Sequence, residues 1–346
     1  MVAISVALAT CDGQAYLEQQ LDSLLHQSHL PTELVVCDDA SQDGTVNILE
    51  KFARRAPFLV RIFRNASRLG YRKNFLKASS LCRGELIAFC DQDDIWDAAK
   101  LERILKCFSE PGILLAFHNS TLVTESGKPI RRIFGRHNKT VLPPLTLYPG
   151  TVIPGHTIVV RRDLTRLDAF HSLSLDPYAP GECMPHDQWY PFWASVLGTV
   201  MYLPESLTHY RQHPGNTSGW PYPSMLSYAL HHVQHAGTYA AADVLSARNR
   251  MMILSTAQDS AAEFRESLSR AIIFYNHLLE RAERRANVYG AENALKRGHA
   301  LWRALHQVTY RRWPNGAGVG AFALDLFLGI PNVIPKGTAF CEPTAD

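Results

Sequence analysis

Five apolar residues, Leu86-Ile87-Ala88-Phe89-Cys90, run without a break into Asp91-Gln92-Asp93-Asp94 and out again through Ile95-Trp96. An apolar run of that length, bounded by polar residues, reads as a buried strand, so the carboxylates stand at a strand end. Carboxylates so close together repel one another unless a cation neutralises them, and a hard divalent ion with oxygen ligands is the usual partner. The same punctuation occurs twice upstream. Val2 to Ala9 ends in Thr10-Cys11-Asp12, and Glu33-Leu34-Val35-Val36-Cys37 ends in Asp38-Asp39.

The segments between these runs have helical spacing. Leu17, Leu21, Leu24 and Leu25 share one face of a helix opening near Asp12, and Val46, Ile48, Leu49 and Phe52 follow the turn Ser41-Gln42-Asp43-Gly44-Thr45. A third strand is expected over Val60 to Phe63 and a third helix over Tyr71 to Leu81, with Gly84 as a stop before the fourth strand. Alternation of this kind predicts an α/β fold with a mostly parallel sheet and helices on both faces, which binds ligands at the carboxyl ends of its strands. All three acidic exits fall there, which makes a nucleotide crevice.

Farther along, a helix with Leu101, Ile104, Leu105 and Phe108 leads to a strand over Ile113 to Phe117. The Gly/Pro-rich stretch from Gly127 to Pro154 reads as loops and hairpins near the acceptor side, and a strand is expected around Val196 to Leu203. From Ser224 to Arg312 the pattern is helical and rich in Ala, Arg, Leu and His. The change of texture divides the chain into a domain over 1–220 and a helical C-terminal extension over 221–346.

With 46% hydrophobic and 19% charged residues in 346, the chain is globular, and its net charge of +3 gives no reason to expect nucleic acid. Its seven cysteines are scattered, with no C-x-x-C pair, as buried thiols are in a reducing compartment. The N-terminal apolar run has no preceding Lys or Arg and is read as the first core strand and not a signal peptide. The longest late apolar stretch, Val319 to Ile330, carries Asp325 and falls short of the ~20 residues of a membrane span. The expectation is a cytoplasmic protein, soluble or peripheral.

Several motifs occur in a fixed order. Ala9-Thr10 is followed by Tyr16-Leu17 and Gln20-Leu21-Asp22-Ser23-Leu24, then by Val35-Val36-Cys37-Asp38-Asp39-Ala40-Ser41 with Asp43-Gly44-Thr45, then by Asn65, Leu69-Gly70 and Asn74-Phe75. Together they resemble the family 2 glycosyltransferases, inverting enzymes with the GT-A fold, a Rossmann-like mixed sheet. Asp91-Gln92-Asp93-Asp94 looks like that family's DxD motif and His186-Asp187-Gln188-Trp189 like its later acidic motif. Tyr210-Arg211-Gln212-His213 resembles the branch that contains bacterial rhamnosyltransferases and O-antigen or capsule enzymes. The resemblance covers roughly the first two-thirds of the chain. It implies a metal-dependent transfer of a sugar from a nucleotide-diphosphate donor, a UDP-sugar or dTDP-rhamnose, to a hydroxyl of a growing cell-surface polysaccharide or lipid-linked glycan.

Such a transfer needs a leaving-group stabiliser, a base for the acceptor hydroxyl and a holder for the nucleoside. A divalent ion, Mn²⁺ or Mg²⁺, neutralises the diphosphate without moving a proton. Asp93 is the expected ligand, because the second carboxylate of an Asp-x-Asp turn can face the diphosphate while Asp91 faces the ribose; the family pattern implies the same division. Asp94 is read as a cap of the following helix. Asp38 is the expected nucleobase contact, accepting from the N3–H of uracil or thymine, while Asp39 suits an N-terminal charge on the next helix. Thr10 and Asp12 line the same pocket or cap a helix. Arg68 and Lys73, around Gly70, are phosphate or nucleoside contacts or else solvated loop residues.

Asp187 is the expected general base, since an inverting displacement needs one carboxylate on the acceptor side. The competing reading is an Asp that starts a helix. His186 and Trp189 would flank it, the Trp offering a ring face to a sugar. By the resemblance, a histidine downstream of the base completes the metal site, here His213, an imidazole more natural for Mn²⁺ than for Mg²⁺. Arg211 is a candidate for direct diphosphate contact.

No competing chemistry is visible: no Gly-x-Ser-x-Gly elbow, Walker loop, Gly-x-Gly-x-x-Gly or zinc spacing. A non-catalytic nucleotide-sugar-binding partner of a polysaccharide assembly remains the alternative class, and a sugar nucleotidyltransferase the weaker rival, because the first strand lacks a Gly-rich basic loop. In the extension, His231, His232 and His235 precede Arg281, Arg284, Arg285, Arg303, Arg311 and Arg312, with Trp302, Trp313 and the apolar Val319 to Ile334. A basic face with Trp fits peripheral contact with the inner face of the plasma membrane. A helical cap packed on the first domain fits equally and is the preferred reading.

Overall fold

A computed structural model of the chain describes residues 2–135, 138–151, 153–216, 235–260, 262–291 and 294–306. They fall into two compact units. The first holds residues up to Asp176 and again from Gly181 to 216; the second takes Pro177–Pro180 and the described residues beyond 234.

The first unit is built on β1 (Ile4–Thr10), buried at every position because strands flank it on both sides. Alternate residues of a strand face opposite sides. Ile4, Val6 and Leu8 pack with Leu17, Leu21 and Leu24 of α1 (Leu17–Leu25) and with Leu34 and Val36 of β2 (Glu33–Asp38). Helix α2 (Thr45–Arg55) adds Leu49 and Phe52 to that layer, and it ends where Pro57 disfavours helical geometry at Ala56. β3 (Leu59–Arg64) is the half-exposed edge. Helix α3 (Tyr71–Leu81) then returns the chain across β1 to β4 (Leu86–Cys90).

Beyond β4 come β5 (Ile95–Trp96), α4 (Lys100–Leu105), β6 (Ile113–Val123), β7 (Pro129–Arg132), β8 (Thr140–Leu142), β9 (Ile158–Arg161), α5 (His186–Leu197) and β10 (Thr199–Arg211). The sheet runs β3-β2-β1-β4-β9-β6-β10-β5, with β7 on β6 and β8 on β10. Strands β3, β2, β1 and β4 are mutually parallel, β9 is antiparallel to both β4 and β6, and β10 is parallel to β6. The chain moves outward from β1 to β3 and resumes at β4 on the other side of β1. That reversal opens a crevice at the carboxyl ends of β1 and β4, where open α/β sheets bind ligands.

Three local expectations change. Val196 and Leu197 close α5, Gly198 ends it, and the strand begins at Thr199 and runs to Arg211. Its ladder with β6 shifts register between Leu203 and Ser206, where Pro204 has no N–H to donate. The strands β5 and β9 carry no separate strand signal, because β5 has only two residues and β9 is short and is preceded by a turn of 3-10 helix at Gly155–Thr157.

The second unit pairs α6 (Ala236–Ser260) with α7 (Arg265–Gly290), followed by α8 (Ala294–His306). Ala240, Ala247, Ile253, Leu254 and Ala257 of α6 are buried, as are Leu268, Ala271 and Tyr275 of α7, the small residues allowing close approach. Arg248 pairs with Glu283 at 2.6 Å and Arg285 with Asp243 at 3.6 Å, so part of the basic series on α7 is held between helices. Among the described residues, no helix is long and apolar enough to cross a membrane. His231, His232, Arg311, Arg312, Trp313 and Val319 to Ile334 lie outside the described residues.

Candidate active site

The loop after β1 is tied to the acidic run by one side chain. The Cys11 N–H donates to Gln92 Oε1 at 2.8 Å and Gln92 Nε2 donates to the Cys11 carbonyl at 2.9 Å. Gly13 allows this: a Cβ there would stand 2.3 Å from Gln92 Oε1. Asp12 adopts a left-handed φ of 47° and accepts from the Gln42 N–H at 2.7 Å while pairing with Arg68. The partly exposed Asp12–Arg68 pair sits at the crevice mouth. Lys73 is exposed and makes no hydrogen bond or ion pair among the described residues.

Asp38 and Thr10 are register partners at the ends of β2 and β1. The Asp38 carboxylate is fully buried and accepts from Thr10 Oγ1 at 3.0 Å, Ser41 Oγ at 2.5 Å and the Ser41 N–H at 3.0 Å. Asp39 does not serve the next helix. Its carboxylate accepts from Asn65 Nδ2 and from the Leu69 and Gly70 N–H groups at 2.7 to 2.9 Å, shaping the turn that starts α3. Asp43 supports α2 instead, accepting from the Thr45 N–H at 2.9 Å.

In the acidic run, Asp93 Oδ2 lies 2.8 Å from His213 Nε2, with Asn216 Nδ2 at 3.5 Å. Burial and the charge of Asp91 raise the Asp93 carboxyl above its ordinary range. Tyr16 packs against His213, ring centroids 4.4 Å apart. Arg211 is 3% exposed, and its Nε, Nη1 and Nη2 donate to the Asp93 carbonyl, the Glu125 carbonyl and Gln19 Oε1. The structure makes Arg211 a brace of the acidic turn, not a free guanidinium for a diphosphate.

Asp94 is not a helix cap. The following helix opens at Lys100 without a side-chain cap, Asp97 accepting from the Ala99 N–H at 2.9 Å just before it, while Asp94 is fully buried, with Oδ1 accepting from the Arg211 N–H at 3.1 Å. Asp94 Oδ2 has no hydrogen-bond partner among the described residues. It faces His156 Nδ1 at 3.5 Å, and Asp91 Oδ2 faces the same nitrogen at 3.7 Å. Both spacings are too long for hydrogen bonds. Ser120 Oγ, 2.7 Å from His156 Nε2, holds the ring. Burial and the neighbouring carboxylates push the Asp94 carboxyl well up. Close by, the buried Lys100 ammonium stands over the Trp96 ring at 3.4 Å and donates to the His156 carbonyl at 2.7 Å, its pKa lowered to about 7 by burial.

These donors fit a divalent ion. Ligand atoms of Asp91, Asp94 and His156 lie within 4.8 Å of one another, one of them an orphaned buried oxygen, and the oxygen and imidazole set suits Mn²⁺. Asp93 and His213 form a second carboxylate–imidazole pair nearer the surface, with side chains 14% and 9% exposed.

Asp187 stands in the first turn of α5, where the helix start favours a carboxylate. Burial and the charge of Asp91 nonetheless raise its pKa to about 7, against the attraction of Arg72. Its Oδ1 is buried without a hydrogen-bond partner among the described residues. The expected flanking roles are corrected. Trp189 is fully buried, its indole N–H donating to Asp168 Oδ1 at 2.8 Å, so its ring has no open face for a sugar. His186 is buried against Phe75 and Phe89, centroids 4.1 and 4.6 Å away, and burial lowers its pKa to about 4, which keeps it neutral. Both residues anchor the helix that presents Asp187.

His156 and Lys100 were not singled out as site residues from the sequence. The only local signal for His156 was its place in Pro154-Gly155-His156-Thr157, directly before the apolar Ile158-Val159-Val160.

A mixed sheet with its crevice at a strand-order reversal, lined by clustered carboxylates and imidazoles, defines a nucleotide-binding α/β protein of GT-A type. Residues 5–167, a little under half of the chain, match the family described as Glycosyl transferase family 2. Among its relatives, the putative teichuronic acid biosynthesis glycosyltransferase TuaG of Bacillus subtilis is 28% identical over 164 residues, 47% of this chain and 63% of TuaG. The dTDP-rhamnosyl transferase RfbG of Shigella flexneri is 34% identical over 104 residues, 29% of this chain and 36% of RfbG. Other curated relatives, 28% identical over 222 residues, are covered over 59% of their length, so the chain spans about three-fifths of them. In fold it is similar to S. aureus TarS residues 1–349, solved with UDP-GlcNAc: TM-score 0.54, 16% identity, 90% of this chain and 93% of that one.

Proposed function

We propose that this chain is an inverting glycosyltransferase that moves a sugar from a nucleotide-diphosphate donor to a hydroxyl of a cell-surface polysaccharide or lipid-linked glycan. The observation that carries the reading is Asp187: a carboxyl raised to about 7, with a partnerless oxygen, beside the acidic end of β4. Asp187 accepts the proton of the acceptor hydroxyl while that oxygen forms a bond to the anomeric carbon. The bond from that carbon to the diphosphate breaks on the opposite face, and the electron pair leaves with the nucleoside diphosphate. A pKa near the working pH suits such a base.

The crevice residues divide the donor among them. Asp38, through the turn it holds with Thr10 and Ser41, shapes the nucleobase end, Asp12 and Arg68 border the mouth, Lys73 offers an unpaired cation to phosphate, and Asp91 faces the ribose. A divalent ion bound here neutralises charge on the leaving diphosphate. Asp93 and His213 hold it in this reading, because they stand at the rim where a diphosphate reaches, whereas Asp94 and His156 are almost sealed from solvent. The names of RfbG and TuaG and the UDP-GlcNAc bound to TarS support dTDP-rhamnose or a UDP-sugar as donor and a surface polymer as acceptor.

The test is a thermal-shift screen of UDP-sugars and dTDP-rhamnose with Mn²⁺ or Mg²⁺, followed by donor hydrolysis. A donor that binds the folded state raises its apparent stability. Metal-dependent hydrolysis supports the enzyme, and tight binding with no turnover in either assay supports a non-catalytic donor-binding protein instead.

A further inference from the structure

We propose that Arg72 is a positioning residue for Asp187: its guanidinium fastens the segment leading into α5 to the start of α3 and keeps a positive charge beside the carboxylate. The inference rests on the reading of Asp187 as the base. Arg72 Nη1 donates to the Cys183 carbonyl at 2.7 Å and Nη2 to Asp176 Oδ2 at 2.8 Å. The pair is largely withdrawn from water, Arg72 15% and Asp176 3% exposed.

The bonds around this pair converge on the approach to the base. The Asp176 N–H donates to the Glu182 carbonyl at 2.8 Å, the Met184 N–H to Ser174 Oγ at 3.0 Å, and the Met184 carbonyl lies 2.7 Å from His171 Nε2. Cys183 and Met184 are therefore fixed immediately before Pro185-His186-Asp187. Arg72 joins this segment to α3, while His186 and Tyr190 join α5 itself to Phe75 and Ser79 of the same helix. The Arg72 fork bonds a carbonyl and a carboxylate at once, which an ammonium does not reproduce.

The same side chain sets the local field. Of the charged groups facing the Asp187 carboxyl, Asp91 at the end of β4 and Asp176 in the preceding segment disfavour its ionised form, and Arg72 on α3 favours it. The Arg72 guanidinium carbon also stands over the Tyr71 ring, 5.2 Å from its centroid.

The experiment separates clamp from charge with Arg72→Lys and Arg72→Gln, each in a Cys11→Ser, Cys341→Ser background. Cys183 is then the one partly exposed thiol among the described residues, Cys37, Cys82, Cys90 and Cys107 being buried. Iodoacetamide labelling of Cys183 is expected to quicken by about tenfold in both variants, since neither keeps the fork. In Mn²⁺-saturated hydrolysis of UDP-glucose or dTDP-rhamnose, the acid limb of the pH profile is expected to rise by about half a unit or more in Arg72→Gln and to stay in place in Arg72→Lys. Unchanged labelling in both variants overturns the clamp whether or not either sugar is turned over. An unmoved limb in Arg72→Gln overturns the electrostatic part. Wild-type turnover by Asp187→Asn sinks the base assignment, a result separate from either.

Discussion

Gln92 and Cys11 exchange two hydrogen bonds across the crevice, amide side chain to backbone, at 2.8 and 2.9 Å. The residue between the carboxylates of the acidic run thus reads the main chain of the loop after β1 as a neighbouring strand would. It joins the two sides of the switch point at the place where the sheet ladder ends.

Removing that link leaves a backbone N–H and carbonyl in a half-buried loop. Gln92→Ala is expected to lower stability by about 1–2 kcal/mol, read from urea unfolding, and to weaken UDP binding in calorimetry. Gly13→Ala is expected to resemble it, because its Cβ occupies the Gln92 amide position. Wild-type affinity in both variants would show that the loop holds itself.

Asp187→Asn is expected to lower turnover by about 10²–10⁴-fold while leaving the donor dissociation constant within about twofold. In the wild type, the base works only when ionised. With a carboxyl raised to about 7, activity falls as pH drops through that value and levels off above it. Asp91 is one cause of the rise, so saturating divalent ion, whose positive charge at the neighbouring Asp93 offsets that of Asp91, moves the limb to lower pH. A flat profile from pH 5 to 8 would count against Asp187.

Asp93→Ala is expected to abolish metal-dependent transfer and donor binding together. Titration of free Mn²⁺ by electron paramagnetic resonance distinguishes the imidazoles: His213→Ala is expected to weaken ion binding by about tenfold or more, and His156→Ala by less. The reverse order would move the ion inward to Asp91, Asp94 and His156.

Asp168 offers a test of folding alone. Burial raises its carboxyl from 3.8 to about 6, against the hydrogen bonds it accepts from Trp189 and Tyr190. The folded state holds this proton more tightly than the unfolded chain, so the stability contribution is greatest below about 4 and is lost as pH rises through about 6. Asp168→Asn is expected to flatten that part of the stability–pH curve, measured by urea unfolding at successive pH values.

The expectations that held were local ones. Leu17, Leu21 and Leu24 show the helical period that buries them, the run Leu86 to Cys90 is a buried strand, and the acidic clusters end strands on one edge of the sheet. Those patterns need only near neighbours and a solvent. What each carboxylate touches was not legible. Asp38, Asp39, Asp43, Asp93 and Asp94 are the same residue type in similar contexts, yet one pins Thr10 and Ser41, one shapes the Gly70 turn, one starts α2, one meets His213 and one is buried by His156.

Trp189 shows the same division. Its place beside Asp187 in the sequence suggested a sugar platform, but a helix turns the neighbouring side chain away, and the ring is buried among His171, Phe192 and Trp193. The sequence by itself determined the alternation of strands and helices, the edge on which the polar exits gather and the family to which they conform. Only the tertiary structure decided which acids are buried, which imidazoles face them and which arginine stands by the base. Those depend on burial and on charges brought together from β4, α3, α5 and the turn before β9, distances that no spacing along the chain encodes.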